Sequence, residues 1–151
     1  MSPLYLVQHG QAKSKSDDPA RPLADLGRQE TERIAELAAR LDLGIREIRH
    51  SGKTRAEETA IIFGRALGLS GKVTAVDGIN PADDVEPVAK SLKDEEGPIM
   101  LVGHLPFMPR LVGFLVEGDA EEAPVAFRCS GVVCLVPEGG AWRVDWQLNP
   151  G

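Results

Sequence analysis

Cysteine, basic charge and long apolar runs are all scarce in this chain of 151 residues. Its two cysteines, Cys129 and Cys134, are too few for a disulfide framework, so we expect buried structural thiols. The 17 Lys and Arg residues against 23 Asp and Glu give a formal net charge of −6, which argues against binding to nucleic acid or anionic membranes. No apolar run approaches the roughly 20 residues that span a bilayer, and the N-terminus lacks the features of a signal peptide. We therefore expect a soluble, cytoplasmic protein with no nucleic-acid or membrane partner.

The length and composition predict a single domain over residues 1–151. Domains most often have about 100–150 residues, and a chain of this size buries about two thirds of its unfolded surface. The hydrophobic share of 42% and the charged share of 26% are ordinary for a globular protein. The chain is therefore long enough to build its own core without disulfides or a metal.

Short apolar runs alternate with longer segments of helical period, an order typical of a parallel sheet covered by helices on both faces. The predicted strands are residues 4–7, 45–48, 72–76, 99–102, 132–136 and 141–148. The predicted helices are residues 25–43, 54–67, 85–92 and 106–116. Asp25 and Asp84 are candidate N-caps, and Gly44 and Gly68 are candidate stops. The final two strands form a hairpin around a Pro-Glu-Gly-Gly turn, so at least one strand is antiparallel. The fold class is a single three-layer α/β domain with a mostly parallel central sheet.

Two histidines follow the two most apolar predicted strands directly. His9 comes after the first strand and His104 after the strand at 99–102. Ligands of open α/β sheets bind beyond the carboxyl ends of the strands, so both imidazoles would open at one edge if both strands are central and parallel. Gly10 and Gly103 allow the backbone to approach a small anion closely. A single histidine at a strand end is more often structural, but the matching context of this pair favours a shared anion site.

Several stretches of the chain resemble one known family. They are Gln8-His9-Gly10 after the opening strand, Arg21-Pro22-Leu23 before Gly27, residues 51–59, Gly103-His104-Leu105-Pro106 and residues 146–150. In this order and spacing the chain resembles the histidine phosphatase (phosphoglycerate mutase-like) superfamily, in its small SixA-type phosphohistidine phosphatase branch. The resemblance covers almost the whole chain and implies the phosphoglycerate mutase-like fold.

The resemblance also implies a role for each motif residue. His9 would be the nucleophile that forms a covalent phosphohistidine, which water then hydrolyses. Arg55 and His104 would act with it as catalytic residues, and Gln8, Gly10 and Arg21 would bind the phosphoryl group of the substrate. Phosphoryl transfer depends mainly on positioning and on stabilising charge, so cationic donors suit the task. No metal and no cofactor are implied.

The chain departs from the family pattern at the position before the nucleophile, where Gln8 replaces an arginine. Glutamine donates a hydrogen bond but has neither the charge nor the bidentate fork of arginine. The replacement predicts roughly 10- to 150-fold weaker transition-state stabilisation or more. An alternative reading is therefore a catalytically silent module that binds phosphate or a phosphopeptide. Gly52 and Glu58 also depart from the pattern, at positions that are not catalytic.

A general acid is not evident in the sequence. Asp77, Asp83 and Asp84, in the loop after the third strand, are the only candidates, and ordinary loop and capping roles are favoured for them. A P–N bond needs less acid assistance than a phosphate ester, and the short chain has no long insertion to close over a small metabolite. We therefore expect phosphohistidine on a protein as the substrate, with a small-molecule phosphoester as a weaker alternative.

Overall fold

A computed structural model describes residues 1–151. The strands are β1 (Leu4–Gln8), β2 (Glu47–His50), β3 (Val73–Ala75), β4 (Ile99–Gly103), β5 (Val132–Glu138) and β6 (Ala141–Leu148). The helices are α1 (Asp25–Ala39), α2 (Thr54–Leu67), α3 (Glu86–Leu92) and α4 (Phe107–Glu117), with a short 3-10 turn at Ser70–Lys72. None of the helices combines the length and the hydropathy that crossing a bilayer requires.

All six strands form one sheet in the order β3-β2-β4-β1-β5-β6. The pairs β2–β3, β2–β4 and β1–β4 are parallel, whereas β5 runs antiparallel to both of its neighbours, β1 and β6. The predicted α/β class, with a mostly parallel sheet and an antiparallel C-terminal strand, is confirmed. Since β1 and β4 are adjacent, the residues that follow them emerge side by side at one edge.

The alternation of side chains along β1 explains why helices cover both faces of the sheet. Leu4 and Leu6 pack into a core with α3 and α4, while Tyr5 and Val7 pack into a second core with α1 and α2. Successive side chains of a strand point to opposite faces, so a fully apolar strand needs a helical layer on each side. The central strands are therefore held rigidly, and so are the residues at their ends.

Helix α2 has the predicted bounds, and Gly68 ends it with a φ of 72°. This left-handed conformation costs glycine little because it has no Cβ atom.

Several other predicted boundaries are wrong. Strand β5 extends to Glu138, two residues past its predicted end, so Pro137 and Glu138 belong to the strand rather than to the turn. The N-cap of α3 is Val85 rather than Asp84.

Helix α1 ends at Ala39 rather than at residue 43, since Asp42 has a φ of 51° and the apolar period continues past the last helical turn. Its N-cap is Ala24 in extended conformation, so Asp25 instead occupies the first turn, where a carboxylate is favourable. Strand β2 begins two residues later than predicted because its register is set by pairing of Glu47 with Ile99.

Gly27 in α1 packs directly against the loop that follows His9. A Cβ atom at this position would overlap the backbone of Gln11. We predict that Gly27→Ala destabilises the protein by about 1–3 kcal/mol, because overpacking against backbone outweighs the ~1 kcal/mol that alanine gains in a helix. Urea unfolding measures the change, with Gly71→Ala as control, where the added methyl meets open space. Equal stabilities for the two variants would contradict this packing.

Candidate active site

The site lies at the edge where β1 and β4 end. The backbone N–H of His9 donates to the carbonyl of Gly103 at 3.0 Å, which ties the ends of the two strands together. The rings of His9 and His104 follow, with centroids 5.1 Å apart and planes inclined by 53°. The two histidines singled out in the sequence are therefore neighbours, although 95 positions separate them in the chain.

The His9 ring is held in one tautomer. Its Nδ1 lies 2.7 Å from the carbonyl oxygen of Gly10. A carbonyl only accepts, so Nδ1 carries the proton and Nε2 keeps a free lone pair. Burial lowers the pKa of His9 to about 4. The charges of Arg55 and Arg21 also lower this pKa, whereas the hydrogen bond to Gly10 raises it. The imidazole is thus neutral near pH 7, as a nucleophile must be.

His104 is almost fully buried, at 1% exposure. Its Nε2 lies 2.6 Å from the hydroxyl of Ser51, whereas its Nδ1 is buried without a hydrogen-bond partner. Burial lowers its pKa to about 3, and the nearby His9 and Arg55 add to the shift. This ring is also neutral near pH 7, with one polar atom free for a ligand.

Arg55 occupies the first turn of α2, where backbone N–H groups and the helix dipole favour an anion. Its Nε is buried without a partner, and burial together with the charge of Arg21 lowers the pKa of its guanidinium. Thr59 fixes this turn to the strand end, because its hydroxyl donates to the Arg55 carbonyl at 2.8 Å and accepts from the Gly10 N–H at 3.0 Å.

Arg21 reaches the site from the loop between β1 and α1. It has a φ of 50°, and its Nε donates to the carbonyl of Lys13 at 3.0 Å. Its charge acts on both imidazoles and on Arg55, which places it on the same side of the molecule. Neither Arg21 nor Arg55 forms an ion pair with a carboxylate.

Gln8 lies at the last position of β1 and is only 6% exposed. Its Nε2 is 3.6 Å from the thiol of Cys129, and its Oε1 is buried without a partner. The amide makes no other hydrogen bond, so it is hydrogen-bonded to neither imidazole. The position of the expected arginine thus holds a neutral side chain that contacts the loop before β5.

Gly10 is enclosed by small polar side chains. A Cβ atom there would lie 2.6 Å from Thr31 Oγ1 and 3.0 Å from Ser130 Oγ, so only glycine fits. Those two hydroxyls bond to each other at 2.8 Å, and the Ser130 N–H donates to the Gln8 carbonyl at 3.0 Å. This network fixes the backbone on either side of His9.

The sequence assigned no role to four residues that position the site: Ser51, Thr59, Thr31 and Ser130. Ser51 and Thr59 lie inside the motif around Arg55, which could have drawn attention to them. The contact between Thr31 and Ser130 spans 99 positions and has no sequence signal.

The loop aspartates have structural roles in this molecule. Asp83 accepts from the Asn80 N–H and Asp84 from the Glu86 N–H, so both carboxylates stabilise the turn before α3. Asp77 is exposed. The charges that shift the pKa values of both imidazoles are cationic, and no carboxylate hydrogen-bonds to either ring.

The site is open rather than enclosed. Five cavities occur in the molecule, and none is lined by His9, His104 or Arg55. The partly exposed His9 ring therefore lies in a shallow recess rather than in an enclosed cavity.

Comparisons with known proteins agree with this geometry. No protein-family model matches the chain. The phosphohistidine phosphatase SixA of Escherichia coli K12 is 28% identical over 153 residues, which is 97% of this chain and 93% of that protein. A solved structure of the protein histidine phosphatase SixA complexed with tungstate has a TM-score of 0.87 at 26% identity, covering 98% of this chain and 97% of that one. A SixA structure from Agrobacterium tumefaciens has a TM-score of 0.80 at 28% identity, with coverage of 98% and 97%.

These similarities extend over nearly the full length of each protein, and they confirm the resemblance found in the motifs. With the paired imidazoles at the ends of β1 and β4 and the cationic groups around them, the shared fold makes the chain similar to the SixA-type branch of the histidine phosphatase superfamily.

Proposed function

We propose that this protein is a phosphatase that removes the phosphoryl group from phosphohistidine on a protein, through a covalent intermediate on His9. The observation that carries the proposal is the neutral His9 ring, whose Nδ1 is bonded to Gly10 and whose Nε2 is free beside unpaired donors. The names of the SixA relatives support the substrate class.

In the first step, His9 Nε2 attacks phosphorus while the bond from phosphorus to the substrate nitrogen breaks. The leaving imidazole departs neutral when its other ring nitrogen carries a proton from solvent, which the open recess admits. A dedicated carboxylic acid is then unnecessary, in keeping with the structural roles of Asp83 and Asp84. In the second step, water attacks phosphorus, the bond to His9 breaks, and inorganic phosphate leaves.

The transferring group carries negative charge on three oxygens, so its transition state needs donors on several sides. Arg55 supplies a buried Nε–H without a partner, and its helix supplies further backbone donors. His104 supplies its unpartnered Nδ1, and Arg21 adds positive charge at the rim. Because these groups are not neutralised by carboxylates, their charge is available to the substrate.

A phosphorylated side chain of a protein suits the recess better than a small metabolite does. None of the cavities contains the histidine pair, so a free metabolite would be enclosed on few sides. A side chain held by a protein brings its own binding surface, which places the phosphoryl group without a closed pocket.

A second candidate function is a silent module that binds phosphate without turnover. Gln8 favours it, because this neutral amide contacts Cys129 and adds no charge to the site. Loss of an arginine that acts in the transition state slows phosphoryl transfer more than it weakens the binding of phosphate.

The covalent intermediate gives the direct test of the proposed reaction. The protein is mixed with a phosphohistidine peptide and quenched in alkali, and phosphohistidine on the enzyme is sought by mass spectrometry. We predict a label on His9 and a fall in turnover on the order of 10⁴–10⁶-fold in His9→Ala, as when a covalent nucleophile is removed.

The matched control is His50→Asn, which removes a different buried imidazole and keeps an acceptor for the Gly52 N–H. This variant should still be labelled. Turnover in His9→Ala equal to that of the unaltered protein would exclude the mechanism.

Restoring the arginine separates a slow enzyme from a silent module. We predict that Gln8→Arg raises kcat/KM by roughly 10- to 150-fold, since a charged hydrogen bond to the transition state is worth about 1.5–3 kcal/mol. Gln29→Arg, which adds the same charge at an exposed position of α1, controls for net charge.

The unaltered protein and both variants are also titrated with inorganic phosphate to measure its binding. Binding without turnover in the unaltered protein, together with turnover in Gln8→Arg, would establish the silent module. A Gln8→Arg rate no higher than that of the control would contradict the role given to this position.

A further inference from the structure

Ser51 makes the shortest side-chain contact of the site, yet no role follows for it from the reaction alone. Its hydroxyl lies 2.6 Å from His104 Nε2, in the segment between β2 and α2. The other ring nitrogen of His104, Nδ1, is buried without a partner in a residue that is 1% exposed. The hydrogen bond between Ser51 and His104 therefore determines whether the free Nδ1 is a hydrogen-bond donor or an acceptor.

A neutral imidazole carries a single proton, so its two nitrogens have opposite capacities. If Nε2 donated to Ser51, Nδ1 would present a lone pair, which repels a phosphoryl oxygen. If Ser51 donates to Nε2, Nδ1 carries the proton and can donate to that oxygen. The tautomer of His104 is thus set by the direction of the bond to Ser51.

The backbone of Lys53 favours the second direction. Its N–H donates a hydrogen bond to Ser51 Oγ at 3.4 Å, and the Ser51 hydroxyl in turn donates one to His104 Nε2. Donors in such a chain polarise one another when all point the same way. The chain runs from the start of α2 through Ser51 to His104, and it ends on the nitrogen that has no protein partner.

We propose that Ser51 is a positioning residue that holds His104 as the Nδ1–H tautomer, so that this nitrogen donates to the phosphoryl group. The assignment rests on the proposed function for the identity of the anion, but the tautomer itself is a property of the resting protein. Ser51 forms no hydrogen bond with His9, and its proposed effect on the substrate acts through His104.

The tautomer is measured directly on the unaltered full-length chain. In protein labelled with ¹⁵N, long-range correlations from the ring protons distinguish a protonated nitrogen from one with a lone pair. We expect a protonated Nδ1 and an unprotonated Nε2 for His104 near neutral pH. A protonated Nε2 would overturn the proposal, whether or not the protein has phosphatase activity.

Substitution tests the consequence for the substrate. Ser51→Ala should lower both kcat/KM on a phosphohistidine peptide and the affinity for inorganic phosphate by about 10-fold, the worth of one hydrogen bond. It should also raise the pKa of His104, because the lost donor had favoured the neutral ring. Ser51→Thr keeps the hydroxyl and should restore the tautomer, the pKa and the rate together.

The matched control is Ser91→Ala, which removes an exposed hydroxyl that bonds only within α3. It should alter none of these values. A Ser51→Ala variant with the rate, phosphate affinity and His104 tautomer of the unaltered protein would overturn the proposal. If the unaltered protein has no turnover, phosphate affinity and the tautomer still decide the role of Ser51, while the proposed function alone fails.

Discussion

The hydrogen bond from the His9 N–H to the Gly103 carbonyl extends the parallel ladder of β1 and β4 past the last strand residues. It fixes the register of the strand ends, and a slip of one residue would turn every side chain of β1 to the opposite face. In the observed register, the rings of His9 and His104 leave the sheet as neighbours 5.1 Å apart. Every proposed catalytic role depends on this juxtaposition.

Burial and positive charge together give the site its chemical character. Both lower the pKa values of the two imidazoles, so that both rings are neutral near pH 7. The buried Nε of Arg55 and the buried Nδ1 of His104 have no protein partners. Buried polar atoms without partners are rare in folded proteins, and two of them beside a free nucleophile are suited to an anionic ligand.

The sequence predicts the sheet and the motif residues because both depend on local signals. Apolar runs mark β1 and β4, and the helical period closed by Gly68 marks α2. The same reasoning fails at the end of α1, where the apolar period continues after the helix has ended at Ala39. It also misplaces β2, since pairing with β4 decides where that strand begins.

Contacts between distant segments escape prediction for a different reason. The bond of Gln8 to Cys129 joins residues 121 positions apart, and that of Ser51 to His104 joins residues 53 positions apart. No periodicity or motif specifies such pairs. The sequence therefore places His9, Arg21, Arg55 and His104 in one site through its resemblance to a family, while the hydrogen bonds that orient them emerge only from the fold.

A crystal structure of the protein with bound tungstate tests the central claim most directly. The account predicts a single anion within hydrogen-bond distance of Arg55 Nε and His104 Nδ1, with its metal centre facing His9 Nε2. An anion bound elsewhere, with those three nitrogens still without a ligand, would contradict it.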